Sequence, residues 1–236
     1  MPRLHLDHAF ATGERIALPA GPSRHVQVLR LQPGAPITLF DGRGGEWSAR
    51  ITAIGRTRVE VEIGSHDATE RELDVAVTLA VGMPANERMD ALIEKATELG
   101  VAAIQPLVCE RSVLRLAGER AHKKVEHWRG VAIAACEQSG RTRVPQVAPV
   151  LPVLHWLAGL APDAHARRVV LSLREATPWR AADDASVVVL SGPEGGLSEA
   201  EEAAARQAGF APVSLGPRTL RADTAPLAAL AAIGLA

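Results

Sequence analysis

The sequence predicts an α/β protein in two parts: a small β-rich barrel, then a larger domain built on a mostly parallel sheet. Three observations carry this. Early in the chain, apolar residues alternate with polar ones at Ile37/Leu39, Trp47/Ala49/Ile51 and Val59/Val61/Ile63, as strands with one buried face do. From Val75 onward the alternation gives way to short apolar runs separated by stretches of helical spacing. That is the pattern of strands buried on both faces and covered by helices. Between the two regimes, His66 to Asp74 (HDATERELD) is predominantly polar, so the boundaries are drawn at 1–68 and 74–236.

In the first part, Asp41-Gly42 and Gly44-Gly45 mark a hairpin turn. Ser23 to Leu31 predicts a short helix, with Val26, Leu29 and Arg30 at helix spacing. Several short strands with closely spaced turns indicate a small barrel. In the second part, Val75 to Val81 is an apolar strand. Glu87 to Leu99 is an amphipathic helix with Met89, Leu92, Ile93, Ala96 and Leu99 on one face, stopped by Gly100. Ala102 to Val108 is the next strand, and Gly118 to Ser139 a long helix with Val125, Trp128, Ala132 and Ala135 turned inward. Pro145 and Pro149 force an irregular crossing. A helix over Val153 to Leu160 and a strand over Arg168 to Leu173 follow. The chain closes with strand Val187 to Leu190, helix Ala200 to Ala208, strand Ala211 to Leu215, and an apolar helix Ala225 to Ala236 with Pro226 in its first turn.

Composition narrows the function. Of 236 residues, 47% are hydrophobic and 22% charged, enough apolar surface for a core and too little charge for disorder. The net charge of -1 argues against a whole-surface electrostatic grip on nucleic acid and leaves room only for a local basic patch. Clustered arginines between Arg111 and Arg143 are where such a patch is expected. The two cysteines, Cys109 and Cys136, have no C-x-x-C spacing, which gives neither a zinc site nor a disulfide framework and points to a reducing, cytoplasmic setting. The eight histidines lack metal-ligand spacing, so no metal is expected. There is no apolar signal core and no long apolar span, so no membrane partner is expected.

The chemistry concentrates between Ser186 and Ala225. Two short apolar strands each end in a Gly-Pro turn, Gly192-Pro193-Glu194-Gly195-Gly196 and Gly216-Pro217-Arg218, with one helix between them. Ser198 and Glu201 have the spacing of a capping box at the start of that helix. Turns at the carboxyl ends of strands are where open α/β sheets hold ligands. The stretch has no G-x-G-x-x-G and no G-K-[ST], and Glu194 opposes a bound polyphosphate. A ligand that is positively charged or held by backbone groups suits it.

GPEGGLS followed by GF, LG, R, LR and an acidic-Thr-Ala ending resembles the C-terminal motifs of SPOUT methyltransferases. More narrowly, it resembles the RsmE family, which methylates N3 of a uridine in small-subunit (16S) ribosomal RNA. HVQVLRL at His25–Leu31, RMDALIEKATELG at Arg88–Gly100 and EQSGR at Glu137–Arg141 agree with that family. The resemblance implies a SPOUT-type trefoil-knotted α/β methyltransferase domain preceded by a PUA-like β-barrel that binds RNA. It implies a homodimer, S-adenosyl-L-methionine (SAM) as cofactor, and small-subunit ribosomal RNA as partner, free or within the assembled subunit.

For the cofactor, the resemblance nominates three loops, through Leu171 and Ser172, through Gly192, Glu194, Gly195 and Gly196, and through Leu215, Gly216, Arg218 and Leu220. Uridine N3 must lose its proton before it attacks. A carboxylate can take it and an arginine can hold the charge that spreads onto O2 and O4, which makes Glu194 and Arg221 the catalytic candidates. His25, Arg30, Arg88, Lys95, Arg111, Gln138 and Arg141 are the RNA candidates. Two departures stand out: Pro84-Ala85-Asn86-Glu87 replaces the lysine and glycine usual before R-M-D, and Arg221-Ala222-Asp223 replaces R-T-E. Two other readings remain open, an RNA-binding or assembly protein without catalysis, and a SPOUT enzyme acting on tRNA or a ribose hydroxyl.

Overall fold

The computed structural model describes residues 1–85, 87–161, 166–180 and 185–234. It forms two compact units, Met1–Glu72 with Cys136–Val144, and Leu73–Ala135 with Pro145–Ala236.

The first unit holds β1 (Arg3–His5), β2 (Arg15–Ala17), α1 (Ala20–Val28), β3 (Pro36–Phe40), β4 (Glu46–Ile54) and β5 (Val59–Asp67). Its five strands run in the order β1-β3-β4-β5-β2, with only β1 and β3 parallel. Register shifts between Trp47/Ala49 and Ile51/Ala53 bend β4 around the core, as bulges do. The alternation read from the sequence is the inward face: Ile37, Leu39, Ala49, Ile51, Val59, Val61 and Ile63 are all buried, with Leu4, Leu6, Leu18 and Val26.

Helix α1 starts three residues earlier than Ser23, because the Ser23 hydroxyl is buried and donates to the Leu18 carbonyl instead of opening the helix. The helix ends by placing Arg30 at φ 53 while Leu31 N–H returns to the Val26 carbonyl (3.2 Å), a Schellman-type stop. Stopping there leaves Leu29 exposed.

The segment 136–144, placed with the second part by sequence pattern, belongs to this unit. Glu137 accepts from the His5 N–H (2.9 Å), and Arg3 donates to the Arg141 carbonyl (3.0 Å). Arg71 donates to the Gly140 carbonyl (2.9 Å), and Arg143 pairs with Glu70 (2.8 Å). A helix pattern read along the chain carries no information about such hydrogen bonds between distant stretches.

The second unit contains β6 (Ala76–Gly82), α2 (Glu87–Glu98), β7 (Ala103–Val108) and most of α3 (Gly118–Ser139). β8 (Gln146–Val147), β9 (Leu151–Pro152), α4 (Val153–Ala158), β10 (Ala166–Leu171) and β11 (Thr177–Pro178) follow. β12 (Ser186–Ser191), α5 (Glu199–Gln207), β13 (Ala211–Ser214) and α6 (Thr224–Gly234) complete it. Its eight strands form one parallel sheet, β11-β13-β10-β12-β6-β7-β8, with β9 also on β7. From β6 the chain goes one way to β7 and later returns to build the other side, so strand order reverses between β6 and β12.

Helix α2 buries Met89, Leu92, Ile93, Ala96 and Thr97. Leu99, expected on that face, is 39% exposed. Gly100 at φ +92 ends the helix, and Val101 N–H returns to the Ala96 carbonyl (3.0 Å), so the buried Val101 takes the core position instead. In α3, Val125, Trp128, Ala132 and Ala135 are buried as their spacing predicts. The Trp128 indole donates to Asp90 (2.8 Å), locking α3 to α2. The last two residues of the expected 225–236 helix lie outside the described residues.

Candidate active site

The order β13-β10-β12 makes neighbours of the three strands whose following loops the motifs nominate. All three are parallel, so their carboxyl ends open at the same edge. A cavity of about 530 Å³ lies there. That is a size suited to a small-molecule cofactor. It is walled by 171–174, by 191–197 and by 215–222, with Arg88, Arg111, Glu202, Val213 and Ala225 completing it. Leu171, Leu173, Leu197, Val213, Leu215 and Leu220 supply apolar walls, and the glycine turn supplies backbone polar groups.

The glycine turn is held by close backbone packing. Gly196 N–H donates to the Pro193 carbonyl (2.8 Å), and Gly196 sits at φ +70. A Cβ on Gly192 would lie 2.7 Å from Leu197 N, so only glycine fits inside the turn. Behind it, Ser198 and Glu201 form the expected capping box on α5. Glu201 also accepts from the Glu110 N–H (2.8 Å) with its other oxygen. The α5 amino end is therefore satisfied by Ser198 and Glu201, and Glu194 is left for another task. The Glu194 carboxylate accepts from the Ala85 N–H (2.9 Å) and lies 3.7 Å from the Arg88 guanidinium.

Of the residues nominated for the cofactor, Leu171, Ser172, Gly192, Glu194, Gly195, Gly196, Leu215, Arg218 and Leu220 line this cavity. Gly216 lines a neighbouring hollow beneath the same loop, with Trp179 and α6. Arg221 lines the main cavity and is exposed, with no side-chain hydrogen bond or ion pair among the described residues. Asp223 has its Oδ1 buried without a hydrogen-bond partner.

The RNA candidates scatter. Arg88 and Arg111 line the cavity. Arg111 donates to the carbonyls of Gly195 (3.1 Å) and Leu197 (3.4 Å), so it works as a brace for the turn. Lys95 is exposed and held by Glu94 (2.7 Å) and Glu98 (2.8 Å), whose hydrogen bonds push its pKa up. His25, Arg30 and Gln138 are exposed in the first unit. Arg141 is only 4% exposed and paired with Glu72, a placement that makes it part of the interior of that unit. Asn86, within the departure before R-M-D, lies outside the described residues.

Sequence reasoning missed Arg174, Ser191, Leu197, Glu202, Val213, Ala222 and Ala225. Arg174, Ser191, Leu197, Val213 and Ala222 are one or two residues from a nominated loop, while Glu202 on α5 and Ala225 on α6 are brought in by tertiary placement. Among the described residues no cluster of three potential metal ligands occurs, and no helix is long and apolar enough to cross a membrane. Both cysteines are buried, and burial pushes each thiol up to about 12.

This architecture, a carboxyl-edge cavity over a parallel sheet with a separate β unit, is that of an α/β protein that binds a small ligand. Residues 71–234 match the RNA methyltransferase domain model, and residues 23–64 match the RNA methyltransferase PUA domain model. The ribosomal RNA small subunit methyltransferase E of Synechocystis is 37% identical over 88% of this chain and 68% of its own length. That of Bacillus subtilis is 32% identical over 88% of this chain and 84% of its length. The crystal structure of the Neisseria gonorrhoeae enzyme bound to S-adenosyl methionine superposes with a TM-score of 0.91, at 39% identity, over 98% of this chain and 96% of that one. The chain belongs to the ribosomal RNA small subunit methyltransferase E family.

Proposed function

We propose that this protein transfers the methyl group of SAM to N3 of a uridine in small-subunit ribosomal RNA. The observation that carries the reading is the cavity where the loops after β10, β12 and β13 meet, in a chain whose fold matches a SAM-bound family member. The residues present fit the donor. Leucines and valine offer apolar surface to an adenine, the glycine turn offers backbone groups, and Arg218 offers a partner for a carboxylate. SAM supplies an electrophilic methyl on a sulfonium.

The chain's own residues must bring N3 to that methyl and manage its proton. As N3 gives up its proton, charge spreads to O2 and O4, and the exposed Arg221 guanidinium at the cavity rim stabilises it. Glu194 sits in the wall of the same cavity. The new N–C bond forms as the C–S bond breaks, leaving neutral S-adenosylhomocysteine. Juxtaposition of the two reactants accounts for much of the acceleration.

The exposed His25, Arg30 and Gln138 are the first unit's RNA contacts in this reading. The α6 helix, apolar throughout and with Leu227, Ala228, Ala231 and Ala232 only half-buried, is the face of a homodimer, and the protein works in the cytoplasm. The C-terminal segment is the part of the chain expected to form a trefoil knot.

Calorimetric titration with SAM, beside Gly195→Arg, tests the cofactor site. A Cβ at Gly195 already meets the Arg111 Cβ at 2.8 Å, so the variant fills the cavity wall. Binding by wild type and none by the variant is expected, followed by a 3-methyluridine in mass maps of treated ribosomal subunits. No SAM binding with or without subunits overturns the reading.

A further inference from the structure

A second hollow, of about 720 Å³, adjoins the cofactor cavity and is lined by Ala85, Glu87, Arg88, Val113 and Glu194. Arg88 and Glu194 are the two residues that line both. The partition between the hollows is therefore an ion pair. Its geometry is set from the backbone: the Ala85 N–H holds Glu194 Oε1 at 2.9 Å, and the same oxygen faces the Arg88 guanidinium at 3.7 Å. Gly82 packs against Pro193 so closely that a Cβ there would lie 2.6 Å from Pro193 N, which fixes the residue before Glu194 to the end of β6. Arg88 is 44% exposed, leaving guanidinium N–H groups open to a ligand.

The geometry points to the second hollow as the acceptor nucleobase subsite, with Arg88 contacting the uracil O4 and Glu194 acting as the residue that positions Arg88. This rests on the cofactor reading above and names the acceptor side of that site. Guanidinium groups only donate hydrogen bonds. Uracil presents a carbonyl acceptor at C4 where cytosine presents an amino donor, so a contact from Arg88 to O4 favours uracil. As N3 loses its proton, the share of its charge that spreads onto O4 strengthens the contact, and the proton leaves to solvent through the open hollow. Glu194, its Oε1 occupied by the Ala85 N–H and facing Arg88, is a strut of this partition and not the proton acceptor.

The test compares Arg88→Gln, Glu194→Ala and Glu194→Gln for SAM binding by calorimetry and for methyl transfer to small ribosomal subunits across pH 6.5–9.5. Wild-type SAM binding and 3-methyluridine formation in the same experiment establish the underlying reading separately. Arg88→Gln is expected to bind SAM within threefold of wild type, to lose at least thirtyfold in kcat, and to move the alkaline rise of kcat about one pH unit upward. Glu194→Ala is expected to follow it. Glu194→Gln keeps an oxygen for the Ala85 N–H and is expected to recover kcat to within tenfold of wild type. Glu194→Gln as inactive as Glu194→Ala, with SAM binding intact, would identify Glu194 as the base and overturn the inference. So would Arg88→Gln with an unchanged kcat and pH profile.

Discussion

Adding one methyl group to Gly82 tests whether the glycine turn is preorganised by packing. Gly82 is the buried last residue of β6. Its Cβ would meet Pro193 Cδ at 2.5 Å, Pro193 N at 2.6 Å and Cys109 Sγ at 2.9 Å. Ordinary carbon contacts lie at about 3.5–4.0 Å, so the Pro193 ring must retreat by about 1 Å. Two of the three obstacles are proline ring and backbone atoms of a tight turn, which no rotamer change can move. Overpacking of this kind costs about 2 kcal/mol. The retreat also draws Glu194 from the Ala85 N–H. That hydrogen bond is partly exposed, so its loss adds only about 1 kcal/mol.

A total near 3 kcal/mol lowers the melting temperature of a unit this size by roughly 6–12 °C. Trp128, Trp156 and Trp179 lie in the second unit and only Trp47 in the first, so tryptophan fluorescence follows the right transition. The displaced turn is also expected to weaken SAM binding about tenfold by calorimetry. Gly130→Ala is the matched control: this α3 glycine has nothing within 4 Å of its Cβ, so alanine is expected to stabilise by about 0.5–1 kcal/mol. If Gly82→Ala melts within 1 °C of wild type and binds SAM unchanged, the packing argument for the turn is wrong.

Other outcomes follow from the same geometry. Trp128→Phe keeps the ring buried but removes the donor to Asp90, and is expected to cost about 1–3 kcal/mol in urea denaturation. Asp90 is also raised by burial, yet hydrogen bonds from His127 and Trp128 outweigh this and hold its pKa below 3.8. Its contribution is therefore complete above about pH 4 and lost as pH falls through the lower folded value, so the stability gap between wild type and Asp90→Asn should shrink below pH 3.8. A gap constant from pH 6 to pH 3 would contradict this. Arg141→Ala strands Glu72 in the first unit and is expected to cost about 3 kcal/mol, with thermal melting as the measure. Cys109 and Cys136, each pushed up to about 12 chiefly by burial, should resist a thiol reagent at pH 8 in the native protein and react fully in denaturant.

The core was legible in the sequence because burial follows periodicity: the alternating residues of β3–β5 and the inward faces of α2 and α3 lie where spacing puts them. Two of the three cavity loops were legible because glycine turns after apolar runs mark strand ends, and the third, through Leu171 and Ser172, came from the family resemblance alone. What spacing could not show was adjacency. Nothing local says that β13 crosses to lie beside β10, and that order brings Val213 and Ser172 within one hydrogen bond (3.0 Å) and the three loops to one mouth. Leu99 missed its expected place on the buried face, and Leu29 is exposed, for a shared cause. Both sit just before a left-handed helix stop, where the helical phase ends and the next residue inherits the core position.

Charge was the least legible property, for a reason general to folded chains. The arginine-rich segment 111–143 read as the RNA-binding patch. In the structure many of its cations are committed to partners within their own units: Arg111 to Gly195 and Leu197, Arg115 to the Glu110 carbonyl, Arg129 to Glu126, Arg141 to Glu72, and Arg143 to Glu70. Arg218 and Arg221 lie in a stretch with no conspicuous charge run, and they reach the cavity with no side-chain partner among the described residues. A run of like charges counts cations but not the carboxylates or carbonyls that topology brings to them. The electrostatics available to a substrate are set by what remains after that pairing, and Arg218 and Arg221 at the cavity are part of that remainder.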